Sequence, residues 1–540
     1  MMMVGQGWHF LNSFVVVFSV MVLFVRSVVA AAECVIAEPH ITLGDMFSLD
    51  SKDREHALTI GFTVKGLCNE FPTVGLLLHN NTIKMINVAE QKHFSEALRD
   101  GSYYDRRAGF YKISNSDRES SISWTIYSDG KPVVGPNKFP TRPFENDTAI
   151  KLFVVADMDI SEQSIHTMQR ITEIRSSEYD LLMHIGDFAY DIDDENGKRG
   201  DEFFQAMSST TRRIPYIITP GNHERRNRGE LLNYRFRMPN TDTLTTGGRS
   251  NNYFDMVYKH TYFMFINFDY ILNMQGIDRK NITKAEYEIL DWMKQRVSLL
   301  KKRKDVKWRI FSSHRPFACV NELAPDDCMF NPYFYRRIED LAAKSGFHFL
   351  LQAHLHTYAR HKPMVGLKMY PLKQVGKGAF FTIINGHAGT SYYFEGPDRF
   401  NTLWGPFIDA VDVSTSTYTI LDISPERFQG RLIASDSGVL KDSFFVDRNS
   451  VAEDTFDDDE HLGFHIFLIL VAVATAIAIA AYIGYRLKYR YHPRYFRSIA
   501  LKNTVHMRSS VAQAQPGNEG ETTPKSTPAE SDETAELIKI

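Results

Sequence analysis

Apolar and polar residues alternate along Ala57 to Val64 and again along Ser121 to Tyr127, where Asp129-Gly130 closes the run. A period of two puts successive side chains on opposite faces of a strand, so both stretches predict half-buried β-structure. Residues 33–148 read as a β-rich, sandwich-like N-terminal domain without a cluster of His and carboxylate. Pro132, Pro136, Pro140 and Pro143 predict a stiff, turn-rich linker at its end.

The rhythm changes at Ala149. From there to residue 445 apolar runs of strand length alternate with amphipathic helical stretches such as Ala285 to Lys301. That alternation predicts an α/β layered domain. Residues 446–461 are polar and acidic and read as a stalk. Residues 486–540 end in a tail rich in Ser, Thr, Pro, Gly and Glu, which predicts disorder.

Two apolar segments frame these regions. Phe10 to Val25, followed by Ala30-Ala31-Ala32, reads as a signal peptide spanning residues 1–32. An uncleaved anchor is the alternative, because Met1 to His9 holds no Lys or Arg. Residues 462–485 hold no Asp, Glu, Lys or Arg, and a helix of that length crosses a hydrocarbon layer of about 30 Å. Asp457, Asp458, Asp459 and Glu460 precede it; Arg486, Lys488, Arg490, Arg494 and Arg497 follow. Positive flanks stay cytosolic, which predicts a single-pass type I protein with a lumenal or extracellular main body.

Composition adds limits. Of 540 residues 43% are apolar, ample for a packed core. The net charge of −3 names no partner, and the basic residues cluster beside the span, so nucleic-acid binding has no support. The cysteines are Cys34, Cys68, Cys319 and Cys328; Cys34–Cys68 with Cys319–Cys328 is the preferred of three possible connectivities. Sequons at Asn80, Asn146 and Asn281 are candidate glycan acceptors.

The chemistry sits at strand ends. Lys151 to Ala156 runs into Asp157. Tyr179 to Ile185 leads to Gly186-Asp187, with Tyr190 three residues on. Ile214 to Thr219 leads to Gly221-Asn222-His223-Glu224. Val306 to Ser313 ends at His314, and Phe347 to Ala353 at His354-Leu355-His356. Strand ends in an open α/β layer lie along one edge, where such folds place their sites. Carboxylate, phenol, amide and imidazole donors suit Fe, Zn and Mn.

The ordered set Asp157, Gly186-Asp187-x-x-Tyr190, Gly221-Asn222-His223-Glu224, His314 and His354-x-His356 resembles the purple acid phosphatases, within the calcineurin-like metallophosphoesterase superfamily. Arg235-Phe-Arg-Met-Pro239 and His314-Arg-Pro316 with Cys319 and Cys328 extend the resemblance. It implies a layered metallophosphoesterase β-sheet sandwich flanked by helices, following the β-rich domain and preceding the transmembrane helix. It also implies a dinuclear centre hydrolysing phosphate monoesters. Asp157, Tyr190 and His356 would bind Fe(III). Asn222, His314 and His354 would bind Fe(II), Zn or Mn, and Asp187 would bridge. His223 would be catalytic, contacting the phosphate and assisting the leaving group, with Glu224 behind the ligands. Tyr190 sets the branch, because Asp157-Met158-Asp159 lacks the His that most superfamily members carry there.

Some positions depart from the pattern. Ala156 and Ala353 replace glycines, a mild change unless the backbone needs positive φ. Asp159 adds a carboxylate near the first metal position or is a solvated turn residue. Leu323 stands where some members carry a second leaving-group histidine, a role open to Asp326. These departures motivate an alternative, a catalytically weak phosphatase-like anchor or receptor that binds a protein partner. A diesterase or nucleotidase using the same metals is a third reading. Glu533 to Ile538 fits an acidic dileucine pattern, which implies a sorting adaptor and a lysosomal, endosomal or cell-surface location.

Overall fold

The computed structural model describes residues 34–49, 53–66, 68–97, 103–145, 148–195, 197–224, 230–239, 250–272, 279–320, 328, 332–390, 404–452 and 459–491. The chain divides into two compact units, Met1–Phe456 and Asp457–Ile540. The expected signal peptide, Asn146, Leu323, Asp326 and the Glu533–Ile538 motif lie outside the described residues.

Two antiparallel four-stranded sheets open the first unit. One runs in the order Val35–Leu43, His56–Lys65, Tyr103–Ser114, Glu90–Ala97; the other runs Ile83–Ile86, Thr73–Leu78, Ser121–Ser128, Lys131–Lys138. The apolar faces predicted by alternation meet in one core: Leu58, Ile60, Phe62 and Val64 from the first sheet, Val74, Leu76, Trp124 and Ile126 from the second. At the hairpin tip Asp129 and Gly130 have φ of 47° and 72°, the left-handed pair that a tight two-residue turn demands. The proline-rich linker begins later than its composition predicts. Pro132 and Pro136 lie in Lys131–Lys138, an edge strand whose register slips against Ser121–Ser128. An edge strand tolerates missing N–H donors and irregular pairing, so proline does not break it.

Two larger sheets follow. The six-stranded one runs Tyr216–Thr219, Leu181–Ile185, Ile150–Val155, Thr417–Ile423, Arg427–Ala434, Leu440–Asp447, and its first three strands are parallel. The seven-stranded one runs Tyr253–Tyr258, Thr261–Ile266, Trp308–Ser312, Phe349–Gln352, Phe381–Asn385, Tyr358–His361, Ile408–Asp412. The sheets pack face to face. The rings of Phe349 and Phe428 stack at 3.7 Å, and Asn385 Nδ2 donates to Val154 O while its Oδ1 accepts from Thr419. Helices Arg279–Leu300 and Pro332–Lys344 cover the outer face of the larger sheet around Phe311, Leu350, Met293 and Ile338.

All five site-bearing strands form. They do not share one layer, as the open-sheet reading expects. Three belong to the smaller sheet and two to the larger. Both faces of these parallel strands are buried, so their apolar runs carry no alternation to reveal which sheet each joins.

The first sheet docks on the layered region through a buried charge network. Arg235 is fully buried; its Nε faces Glu38 at 3.1 Å, its Nη2 reaches Asp201 at 2.8 Å, and Arg106 meets the other Asp201 oxygen at 2.8 Å. The Arg235-Phe-Arg-Met-Pro239 motif is thus a docking element. At the far end Val446, Val451 and Ala452 are buried, and Ala452 N–H donates to Val375 O. The folded part therefore extends into residues that composition assigns to the stalk. The described residues of the second unit form the helix Asp459–Tyr491, within which Phe467–Lys488 is long and apolar enough to cross a membrane.

Candidate metal centre

The turns that follow three of the five strands, Ile150–Val155, Leu181–Ile185 and Phe349–Gln352, leave the ordinary backbone regions. Asp157, Asp187, Tyr190 and His354 have φ of 53°, 54°, 43° and 72°. Left-handed backbone costs a non-glycine residue about 1–3 kcal/mol, and such strain concentrates at functional sites. Ala156 and Ala353 do not have positive φ, so the loss of glycine there is mild. Gly221 is required by contact: a Cβ would sit 2.3 Å from Asp187 Oδ1.

Hydrogen bonds lock these turns together. Asp157 N–H donates to Gly186 O, Met158 N–H to Asp187 O, and Ala189 N–H to Met158 O. The buried Glu224 carboxyl accepts the N–H groups of Gly221, Asp187 and Phe188 at 2.8–2.9 Å. Glu224 thereby joins the turns that follow Leu181–Ile185 and Tyr216–Thr219.

The seven candidate ligands then converge in two sets. Tyr190 Oη lies 2.7 Å from His356 Nε2 and 3.2 Å from Asp157 Oδ1. His314 Nε2 lies 3.2 Å from Asn222 Oδ1 and 3.1 Å from Asp187 Oδ2. Ligand atoms of Asp187, His314 and His354 all fall within 4.8 Å of one another. Donors about 2.0–2.2 Å from one ion sit about 3 Å apart, so both sets fit metal coordination. His314 Nδ1 is 2.8 Å from Ile185 O. It donates there, which leaves Nε2 for the site.

The electrostatics point the same way. Burial and the nearby Asp187 push Asp157 up to about 7, against the pull of His314. Burial also opposes charge on Asp187, but the imidazoles of His314, His223 and His354 outweigh it and hold that carboxyl well below the usual range. Burial lowers His314, yet Asp187 and Asp157 drive it up to about 10. Burial and Asp157 raise the Tyr190 phenol well above 10. The carboxylates thus draw a positive charge onto His314, the charge that a bound cation would supply. A hard cation would also favour the Tyr190 phenolate.

His223 stands beside the seven and is partly open, with its side chain 30% exposed. Its Nδ1 lies 2.8 Å from Asp191 Oδ1, and its Nε2 lies 3.9 Å from Asp187 Oδ2. Burial lowers it, but Asp191 and Asp187 more than compensate and hold it up to about 9.

Sequence reasoning missed three residues. Asp191 sits in an acidic run, Asp191-Ile-Asp-Asp-Glu195, where it looks like any solvated loop acid. Arg315 is buried between Asp269 at 2.7 Å and His354 Nε2 at 2.9 Å; its place in the His314-Arg-Pro316 run was the available signal. Arg199 donates through Nη2 to Asp159 Oδ1 at 2.5 Å. Asp159 is therefore neither a bare turn residue nor aimed at the first ligand set.

Both disulfides join as preferred, Cys34–Cys68 and Cys319–Cys328. Asn80 is exposed in a turn, and its Oδ1 accepts from Thr82. Asn281 falls in the first turns of Arg279–Leu300, where its side chain is outside the described residues.

Residues 150–358 match the family model of the calcineurin-like phosphoesterases. Acid phosphatase type 7 of Danio rerio is 30% identical over 221 residues, covering 38% of this chain and 47% of the relative. Acid phosphatase type 7 of Homo sapiens is 24% identical over 283 residues, covering 50% and 61%. The chain thus spans about half to three-fifths of these curated relatives. Among solved structures, the purple acid phosphatase PPD1 of yellow lupin seeds superposes with a TM-score of 0.57 over 78% of this chain and 76% of that chain. At 16% identity that likeness is one of fold.

Proposed function

We propose that this chain is a dinuclear metal-dependent acid phosphatase that hydrolyses phosphate monoesters on the lumenal or extracellular side of a membrane. The convergence of seven predicted ligands from five strand ends carries the reading. Asp157, Tyr190 and His356 would hold Fe(III), Asn222, His314 and His354 would hold Fe(II), Zn or Mn, and Asp187 would bridge. When bound, such a pair neutralises phosphate oxygens and makes bound water nucleophilic near neutral pH.

The protein's own groups do the rest. Glu224 fixes the turns that present Asp187 and Asn222. Asp191 takes the Nδ1 proton of His223 in a hydrogen bond, so the Nε2 proton faces the site. Asp191 and Asp187 favour the protonated form of His223, which would deliver that proton to the departing alkoxide. A positioned general acid contributes about 10²–10⁴-fold.

The anchor or receptor reading loses one motive, because Arg199 accounts for Asp159. The expected signal peptide and the Phe467–Lys488 helix would together give a type I topology, and the tail motif would suit lysosomal or endosomal sorting. In the test, the full chain, purified with iron and zinc present, is assayed for metal content and aryl-phosphate hydrolysis. The reading expects two metals per chain and activity that Asp187→Ala abolishes. A metal-free protein under those conditions refutes it.

A further inference from the structure

We propose that Arg199 and Asp159 form a positioning clamp for Tyr190. The idea deepens the metal reading above, since it rests on Tyr190 as a first-metal donor.

The backbone rungs between the first two turns stop at Ala189 N–H. Beyond that rung lies the peptide that leads into Tyr190, where Ala189 and Tyr190 both have left-handed φ, 59° and 43°. Neither is glycine, so this peptide relaxes unless something outside the turn holds it. Arg199, in the first turn of helix Lys198–Thr211, supplies that hold. Its Nε donates to Ala189 O, and its Nη2 donates to Asp159 Oδ1. Asp159 is itself fixed, because the same Oδ1 accepts the N–H of Ile160 at 2.7 Å. One planar guanidinium thus ties a helix to both ligand-bearing turns. The pair is largely shielded, with side chains 26% and 15% exposed, so solvent weakens it less than a surface pair. Lysine, with one ammonium in place of a planar fork, cannot reproduce both bonds.

Asp159→Asn and Arg199→Lys in the full chain test the clamp. In the metal-free protein, amide exchange across residues 186–195 should quicken about tenfold in both variants, while peptides from Ile150–Val155 and Trp308–Ser312 stay as in the parent. With iron bound, the phenolate-to-iron absorption band should shift in both variants at unchanged iron content. Unchanged exchange across 186–195 overturns the clamp. So does equal quickening throughout the sheets, which is global destabilisation. A parent protein that binds iron without such a band overturns the Tyr190 assignment instead, and the exchange comparison still decides the clamp.

Discussion

Two of the clusters in which the molecule buries charge balance it differently. In the docking network two acids, Glu38 and Asp201, meet two guanidiniums, Arg235 and Arg106. Each acid there meets a guanidinium of the protein itself, and the result is adhesion between the first sheet and the layered region. In the candidate centre Asp157 and Asp187 face imidazoles, a phenol and an amide. Charge there closes only by drawing a proton onto His314 or by taking up cations. The difference separates a structural cluster from a chemical one: the first satisfies its own groups, and the second aims them at a common point.

Breaking the second cluster should have the larger effect on activity. Asp187→Ala removes the bridge and should take metal content and aryl-phosphate turnover to background. His223→Ala should keep both metals and lower kcat by about 10²–10⁴-fold. Metal loss in that variant would show that His223 is a ligand. Asp191→Asn should cost less, about tenfold in kcat, because the imidazole keeps a hydrogen-bond partner but loses the charge that holds its proton.

Breaking the first cluster should leave the metals in place. Arg235→Met strands the buried Glu38 carboxyl, while Asp201 keeps Arg106, and should cost about 3–5 kcal/mol in urea unfolding of the full chain, with metal content unchanged. Coupled loss of stability and metal would erase the distinction between the clusters.

The smallest effect is one of pH. Burial and Asp201 push Glu38 up to about 8 against the pull of Arg235, while its ordinary value is 4.5. Between those values the folded state holds a proton that the unfolded state has released. Stability from this group is therefore full below about 4.5 and falls as pH rises through 8. Glu38→Gln should flatten the decline in Tm between pH 5 and pH 8, and an unaltered slope would assign the decline to other groups.

The site was more legible in sequence than the frame around it. Asp157, Asp187, Asn222, His314 and His354 could be found because an apolar run followed by a polar donor is a local signal, repeated five times. Pairing between strands is not local, so nothing in Trp308–Ser312 or Phe349–Gln352 says that they join a second sheet. Asp191 hid among acids that share its composition. Arg199 hid because its partner is forty residues away and its role lies in a peptide carbonyl that no side-chain pattern marks. Pro132 and Pro136 misled because the cost of proline depends on whether a strand has a neighbour on both sides, which composition does not encode.

The order of the six-stranded sheet has a mechanical consequence. The last strand of the first unit, Leu440–Asp447, is the outermost of that sheet, with two strands between it and the one that leads to Asp157. A tug on the C-terminal side would first load the Ala452–Val375 bond and then that outer hairpin, peeling its rungs one at a time. Thr417–Ile423 and Arg427–Ala434 would act as a fuse, yielding before tension reached the strands that carry the donors.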